Sequence, residues 1–374
     1  MAAHPLKGLS IGDLFAPVPI VQGGMGVGIS LSGLASATAN SGGIGVIAAA
    51  GIGLLEPDGF KDFLGANIRA LRREIRRARE RSKGILGVNI MVALRNFPDL
   101  VRTAVEEKID IIFSGAGLPM NLPELTKGTK TKLVPIVSSA RAAALIAKRW
   151  LDKYGVLPDA FVVEGPKAGG HLGYKAEELT DPEFALEKTV PEVIEVAKSF
   201  EERKGCPIPV IAGGGIYTGD DIAKFLEMGA EGVQMATRFV ATDECDADIA
   251  FKEAFISAKE DDLAIIKSPV GMPGRAIRNA FINEVEAGHK APFACPYHCI
   301  HTCDYEKAPY CISLALLNAQ KGRLDLGFAF AGANVGRVDH IVHVQELVDE
   351  LVTECEASLE EHETRGEKGA TTIA

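Results

Sequence analysis

The chain has 374 residues, with 40 glycines, seven cysteines and a formal net charge of −10. An acidic balance excludes a general phosphate-backbone binder, and 47% apolar with 24% charged residues excludes wholesale disorder. Seven cysteines in this length do not make a disulfide scaffold, and the glycine-rich apolar stretch at 42–55 is too short for a membrane span. The start, Met-Ala-Ala-His-Pro-Leu-Lys, lacks a charged segment followed by an apolar core, so a cytoplasmic protein is expected.

In chain order, short apolar runs alternate with helical periodicity. Strands are expected at 18–22, 44–49, 85–91, 110–114, 133–137, 160–164, 209–212 and 232–236. Helices are expected at 32–40, 59–82, 97–107, around Leu122, and at 141–154, 190–203, 219–228 and 246–259. The strands are continuously apolar, as in a parallel sheet covered on both faces. Eight β-then-α units indicate an α/β protein with a (β/α)₈ TIM barrel; a doubly wound open sheet is the competing arrangement. The rhythm stops near Pro269. The chain thus divides into a barrel over 1–268, a substrate-side cap over 269–342, and a C-terminal stretch over 343–374 comprising a helix at 343–359 and a tail expected to be disordered. Between Arg69 and Lys83 lie seven arginines and one lysine, read as a solvated helix face with ion pairs rather than a nucleic-acid patch.

Glycines gather where strands end, where a barrel enzyme carries its site. Gln22-Gly23-Gly24-Met25-Gly26 follows the first strand. Glu164 to Gly173, with Gly169, Gly170 and His171, follows the sixth. Ala212-Gly213-Gly214-Gly215 follows the seventh, and Met235-Ala236-Thr237-Arg238 the eighth. The last two match the usual barrel phosphate site. No dinucleotide fingerprint is present, so the ligand reads as a mononucleotide such as FMN or as a sugar phosphate. His171, in a mobile-looking loop between glycines, suits proton transfer near pH 7. Asn89 is a polar residue ending an apolar strand, expected to meet a ligand.

These pieces together resemble the nitronate monooxygenase (2-nitropropane dioxygenase) family, which includes flavin-dependent enoyl-ACP reductases. Further matching pieces are Gly87-Val88-Asn89-Ile90-Met91 and Ser268-Pro269-Val270-Gly271-Met272-Pro273-Gly274-Arg275-Ala276-Ile277-Arg278-Asn279. The resemblance covers roughly residues 8–282, with an echo at Ala331-Gly332-Ala333-Asn334. It implies an FMN-binding barrel. Gly23, Gly24 and Met25 would lie against the flavin ring, with Gly169 and Gly170 among the cofactor-binding residues. Asn89 and Glu164 would meet the ring edge or ribityl chain, and Gly213, Gly214, Ala236 and Thr237 the phosphate. His171 would face flavin and substrate as the proton-handling group. Lys167 stands where the family often carries an acidic residue, and Ala236 where it usually has glycine. The substrates implied are a nitronate or an enoyl thioester, the latter with NAD(P)H as donor; a quinone is a further acceptor. A non-redox phosphate-sugar barrel and a non-catalytic flavin sensor are the competing classes. No nucleic-acid or membrane partner is expected, and a homo-oligomer is left open.

Cys295, Cys299, Cys303 and Cys311 lie outside the family pattern. If helical, the first three thiols share one face. Four thiolates suit a [4Fe–4S] cluster, with a zinc site as the alternative. An iron–sulfur centre would favour a reductase.

Overall fold

The computed structural model describes residues 6–289, 295 and 297–371. A hairpin, β1 (Leu9–Ile11) with β2 (Leu14–Ala16), precedes the barrel. The strands that follow are β3 (Ile20–Gln22), β4 (Ile44–Ala48), β5 (Ile85–Asn89), β6 (Ile111–Ser114), β7 (Lys132–Val137), β8 (Phe161–Glu164), β9 (Gly170–His171), β10 (Val210–Gly213), β11 (Gly232–Met235), β12 (Leu263–Lys267) and β13 (Pro273–Ile277). The helices are α1 (Ser32–Asn40), α2 (Phe63–Arg81), α3 (Phe97–Glu106), α4 (Leu122–Leu125), α5 (Ala140–Tyr154), α6 (Leu186–Lys204), α7 (Gly219–Glu227), α8 (Thr237–Val240), α9 (Ile249–Ser257), α10 (Ala280–Glu286), α11 (Ile312–Gln320) and α12 (Val344–Thr371).

Strands β3 to β8, β10 and β11 form a closed parallel barrel, so the (β/α)₈ reading holds and the open sheet does not. Closure is made where Val233 pairs with Ile20. The apolar runs are explained by burial on both faces. Val21, Ile44, Phe113, Val134, Val162 and Ile211 pack inside, where Leu9, Ile11 and Ala16 of the hairpin join them. The opposite strand faces pack on the helix ring. The hairpin is tied to the foot of β7 by Lys132 Nζ to Asp13 Oδ1, 2.6 Å.

Helix α2 carries the arginines. Asp62 at its N-cap accepts from the Gly65 amide at 3.0 Å. Arg69 pairs with Asp58 and Asp62, Arg72 with Glu106, Arg76 with Glu107, and Arg73 with Glu56 and Glu74. The basic run is therefore a face of ion pairs. No helix among the described residues is long and apolar enough to cross a membrane.

The C-terminal third covers the barrel mouth and flank. The β12–β13 hairpin lies over the strand ends, and α12 packs along α7 and α1. Helix α12 runs past the Leu359 end expected from sequence, because His362 Nδ1 meets Glu227 of α7 at 2.9 Å. Residues 372–374 of the expected tail lie outside the described residues.

Helix α1 begins without a side-chain cap of its own. Asp246, from the segment before α9, supplies it: its carboxylate accepts the amides of Leu31 (2.7 Å), Gly33 (3.0 Å) and Leu34 (3.1 Å). Asp246→Ala leaves three amides without an acceptor and should cost about 2–3 kcal/mol. Thermal melts check this: Asp246→Asn, which keeps one acceptor oxygen, should recover part of the loss, and a melting temperature equal to wild type in the alanine variant would contradict the assignment.

Candidate active site

The strand ends enclose a cavity of about 280 Å³. Ten of the residues expected there from sequence line it: Gly23, Gly24, Met25, Asn89 and Glu164; Gly169, Gly170 and Gly214; Ala236 and Thr237. His171 lines it too. Gly213 does not. It ends β10, paired with Glu164, and its carbonyl accepts the Gly165 amide at 2.8 Å. Gly214 and Gly215 reach the wall in its place, at φ of +92° and +99°, which only glycine adopts readily.

Close approach accounts for the other glycines. A Cβ on Gly24 would stand 2.4 Å from the Asn89 Cβ, and one on Gly169 would stand 2.5 Å from the Ala331 carbonyl carbon. Buried Gln22, quoted in the motif but given no role, holds the first turn. Its Oε1 accepts the Val46 amide at 3.0 Å, and its Nε2 donates to the Gly23 carbonyl. The short helix α8 starts at the cavity with no capping side chain on its first-turn amides.

The loop after β8 is held firmly rather than mobile. Gly170 and His171 form β9, paired antiparallel with Arg275 and Gly274 of β13. Arg275, buried, donates to the Pro166 carbonyl (2.7 Å) and the Ala168 carbonyl (2.6 Å). His171 Nε2 meets Ser268 Oγ at 2.7 Å, and Phe330 packs edge-on at 4.9 Å between ring centroids. Ser268, Arg275 and Phe330 are functional neighbours the sequence reading left without roles. Their contact with His171 spans about a hundred residues or more, so no local spacing reveals it.

Burial displaces two ionisable groups of the wall, His171 and Glu164. It pulls His171 down to about 4, so the imidazole is neutral at pH 7, not poised there as its sequence suggested. It pushes Glu164 up to about 7. Among the described residues no hydrogen bond reaches the Glu164 carboxylate, while the Tyr174 hydroxyl takes its backbone carbonyl at 2.8 Å.

The four cysteines of the cap do converge, but not on a helix. Cys295, Cys299, Cys303 and Cys311 line a second cavity of about 20 Å³ between α10 and α11, in a stretch of turns. Among the described residues no group of three or more His, Cys, Asp or Glu is arranged to hold a metal ion.

The nitronate monooxygenase family model matches residues 11–354. The chain belongs to the nitronate monooxygenase family. It is thereby a flavin-dependent oxidoreductase. A "probable nitronate monooxygenase" of Staphylococcus aureus is 26% identical over 293 residues, 71% of this chain and 77% of that protein. A Mycobacterium tuberculosis protein named (3aS,4S,5R,7aS)-5-hydroxy-7a-methyl-1-oxo-octahydro-1H-indene-4-carboxyl-CoA dehydrogenase is 29% identical over 273 residues, 73% of this chain. The match spans 66% of that relative's own length, just under two thirds. Among solved structures, FabK from Thermotoga maritima superposes with a TM-score of 0.72 at 28% identity, covering 93% of this chain and 96% of that one.

The two displaced groups give this family member a pH signature. Glu164 holds its proton longer folded than unfolded, so its contribution is present below about pH 4.5 and is lost as pH rises to about 7. His171 runs the other way: the unfolded chain binds its proton first, so stability falls as pH drops from about 6.5 to about 4. In flavin-free protein, Glu164→Gln should therefore gain on wild type as pH rises from 4.5 to 8. Melting temperatures across that range test it, and parallel profiles for the two proteins would defeat it.

Proposed function

We propose that the chain binds FMN in the strand-end cavity and oxidises a nitronate-type substrate, with His171 handling the proton. The observation that carries this reading is the position of His171. A neutral imidazole, fixed on β9 and bonded to Ser268, stands in the same wall as the glycine turns after β3 and β10 and the Ala236–Thr237 turn after β11.

The residues present fit FMN. Gly23, Gly24 and Met25 offer a side-chain-free or flexible floor for a flat ring, since Gly24 has no room for even a Cβ. Asn89 and the otherwise unsatisfied Glu164 carboxyl would meet the ring edge or the ribityl hydroxyls. Gly214, Gly215, Ala236 and Thr237 would hold the phosphate, with the uncapped start of α8 supplying amides. Gly169 and Gly170 let the β8–β9 loop approach closely. Bound there, FMN would supply the two-electron acceptor or donor. The Thr237 hydroxyl accepts the Gly332 amide at 3.2 Å and Asn334 donates to the Gly215 carbonyl at 2.7 Å, so the cap segment 331–334 braces the phosphate end.

What His171 does follows from its protonation. An imidazole kept neutral can accept a proton from a carbon acid or orient an anionic substrate oxygen through its N–H. Ser268 Oγ, 2.7 Å from Nε2, holds the ring's orientation.

A second reading, reduction of an enoyl thioester with NAD(P)H as donor, is favoured by the outer wall. Leu94, Phe251, Phe255, Ile300, Ile312 and Leu316 make that side apolar, suited to an acyl chain. The names of the M. tuberculosis and T. maritima relatives point the same way. A quinone acceptor fits the same wall.

An anaerobic spectrum decides between them. The purified protein should be yellow; colourless protein that takes up no FMN sinks both readings. On the first reading a propyl nitronate bleaches the flavin and oxygen restores it. If NADH or NADPH bleaches it, an enoyl-CoA restores it and the nitronate does neither, the second reading replaces the first. His171→Gln should lower turnover about 10²–10⁴-fold with flavin content unchanged.

A further inference from the structure

The proposed chemistry makes no use of the four thiols that line the small cavity of the cap. Cys295, Cys299, Cys303 and Cys311 come from four separate places along a turn-rich stretch of 17 residues, yet all reach one space, with His298 beside them. The stretch is held in place from several sides. The Arg95 amide donates to the Cys299 carbonyl at 3.0 Å, and the His301 amide to the Ala93 carbonyl at 2.9 Å. Tyr297 stacks on Phe63 at 5.0 Å, and the Cys311 carbonyl accepts the first bond of α11 from Ala315 at 3.0 Å. His298 takes a left-handed φ of +48°, which turns the chain between Cys295 and Cys299.

Ligand chemistry selects the occupant. Four thiols facing one small space suit a soft or borderline cation. A divalent ion would take them as thiolates, because a coordinated thiol is deprotonated outright.

We propose that Cys295, Cys299, Cys303 and Cys311 form a structural tetrathiolate site for a single thiophilic divalent ion, zinc by ligand set. Without the ion no three of these groups are arranged to hold it, so binding draws the thiols together to metal–sulfur distances near 2.3 Å. The consequence reaches the active site. Ile300 and Ile312 wall both cavities, and Ser313, 3.5 Å from Cys299 Sγ, lines the larger one. The ion would therefore brace the apolar wall of the substrate side.

The test is metal analysis of the full chain, purified without chelator and dialysed against zinc. About one zinc per chain is expected, with the four thiols slow toward Ellman's reagent until a strong chelator is added. Cys295→Ser and Cys311→Ser should each lose the metal, while Cys206→Ser, at an exposed cysteine outside the cluster, should keep it. Should the serine variants fail to fold, cobalt(II) substitution of the wild-type chain reads the same site, giving intense visible bands of tetrahedral cobalt–thiolate. Metal-free protein whose four thiols react at once, disulfides among them, or four irons with labile sulfide per chain would each overturn the proposal. Flavin content is measured separately, so its failure and that of the flavin reading stay distinguishable.

Discussion

The pairing of β9 with β13 is the contact on which the site depends. Only two residue pairs make it, His171 with Gly274 and Gly170 with Arg275. It converts the segment leaving β8 from an open loop into an edge of the cap sheet. Arg275 then reaches back to two carbonyls of the same segment, and Gly169 lies against the Ala331–Gly332 backbone with no space for a side chain. A buried guanidinium spends its donors on backbone carbonyls rather than on a carboxylate, so its role is to hold geometry. The imidazole that results is fixed in position by strand pairing, by Ser268 and by Phe330, before any ligand arrives. Such preorganisation would serve the proton-handling role proposed for His171, since small misplacements are costly in rate.

The same desolvation that keeps His171 neutral raises Glu164 to about 7, so about half of its carboxyl keeps the proton at neutral pH, and the two stand on the wall of one cavity. Perturbed groups of this kind gather where a site is built for a ligand; on the proposed reading hydroxyls or ring heteroatoms would meet the carboxyl, and a substrate proton the imidazole. Contrast α2, where every named arginine finds a carboxylate at the surface. These arginines are compensated by the protein itself, whereas polarity inside the mouth is left partly open.

Much of this was legible in the sequence. All eight barrel strands could be placed because a strand buried on both faces reads as an unbroken apolar run, and the helices between them follow by periodicity. The glycine clusters announced the strand ends. What stayed hidden shares one physical cause, contact between residues far apart in the chain. The two-residue strand β9 has no pattern of its own; it exists because Arg275 passes beside it. Gly213 and Gly215 differ in role only because of where β10 stops. The cysteines were legible as a group, but helical spacing gave the wrong reason for their convergence. The turn at His298 and the docking of Cys299 on Arg95 bring them together instead.

The cap shows why such a cluster belongs where it is. The barrel is stiffened by a closed ladder, whereas the wall opposite it, around Ile300 and Ile312, rests on an irregular stretch with few backbone bonds. Segments of that kind open at low free energy unless something else holds them. Aromatic contacts do part of this: Tyr297 on Phe63 at one end, Tyr310 against Phe281 and Phe328 at the other. Between them, among the described residues, the backbone is tied to the barrel at the Leu94–Ile300 bridge and its flanking amides. The four thiols proposed to share one ion are spread along that interval, so the ion would tie it at each of them. On that proposal the apolar wall would take its shape from side-chain chemistry on its far side, as the wall that carries His171 takes its shape from the pairing of β9 with β13.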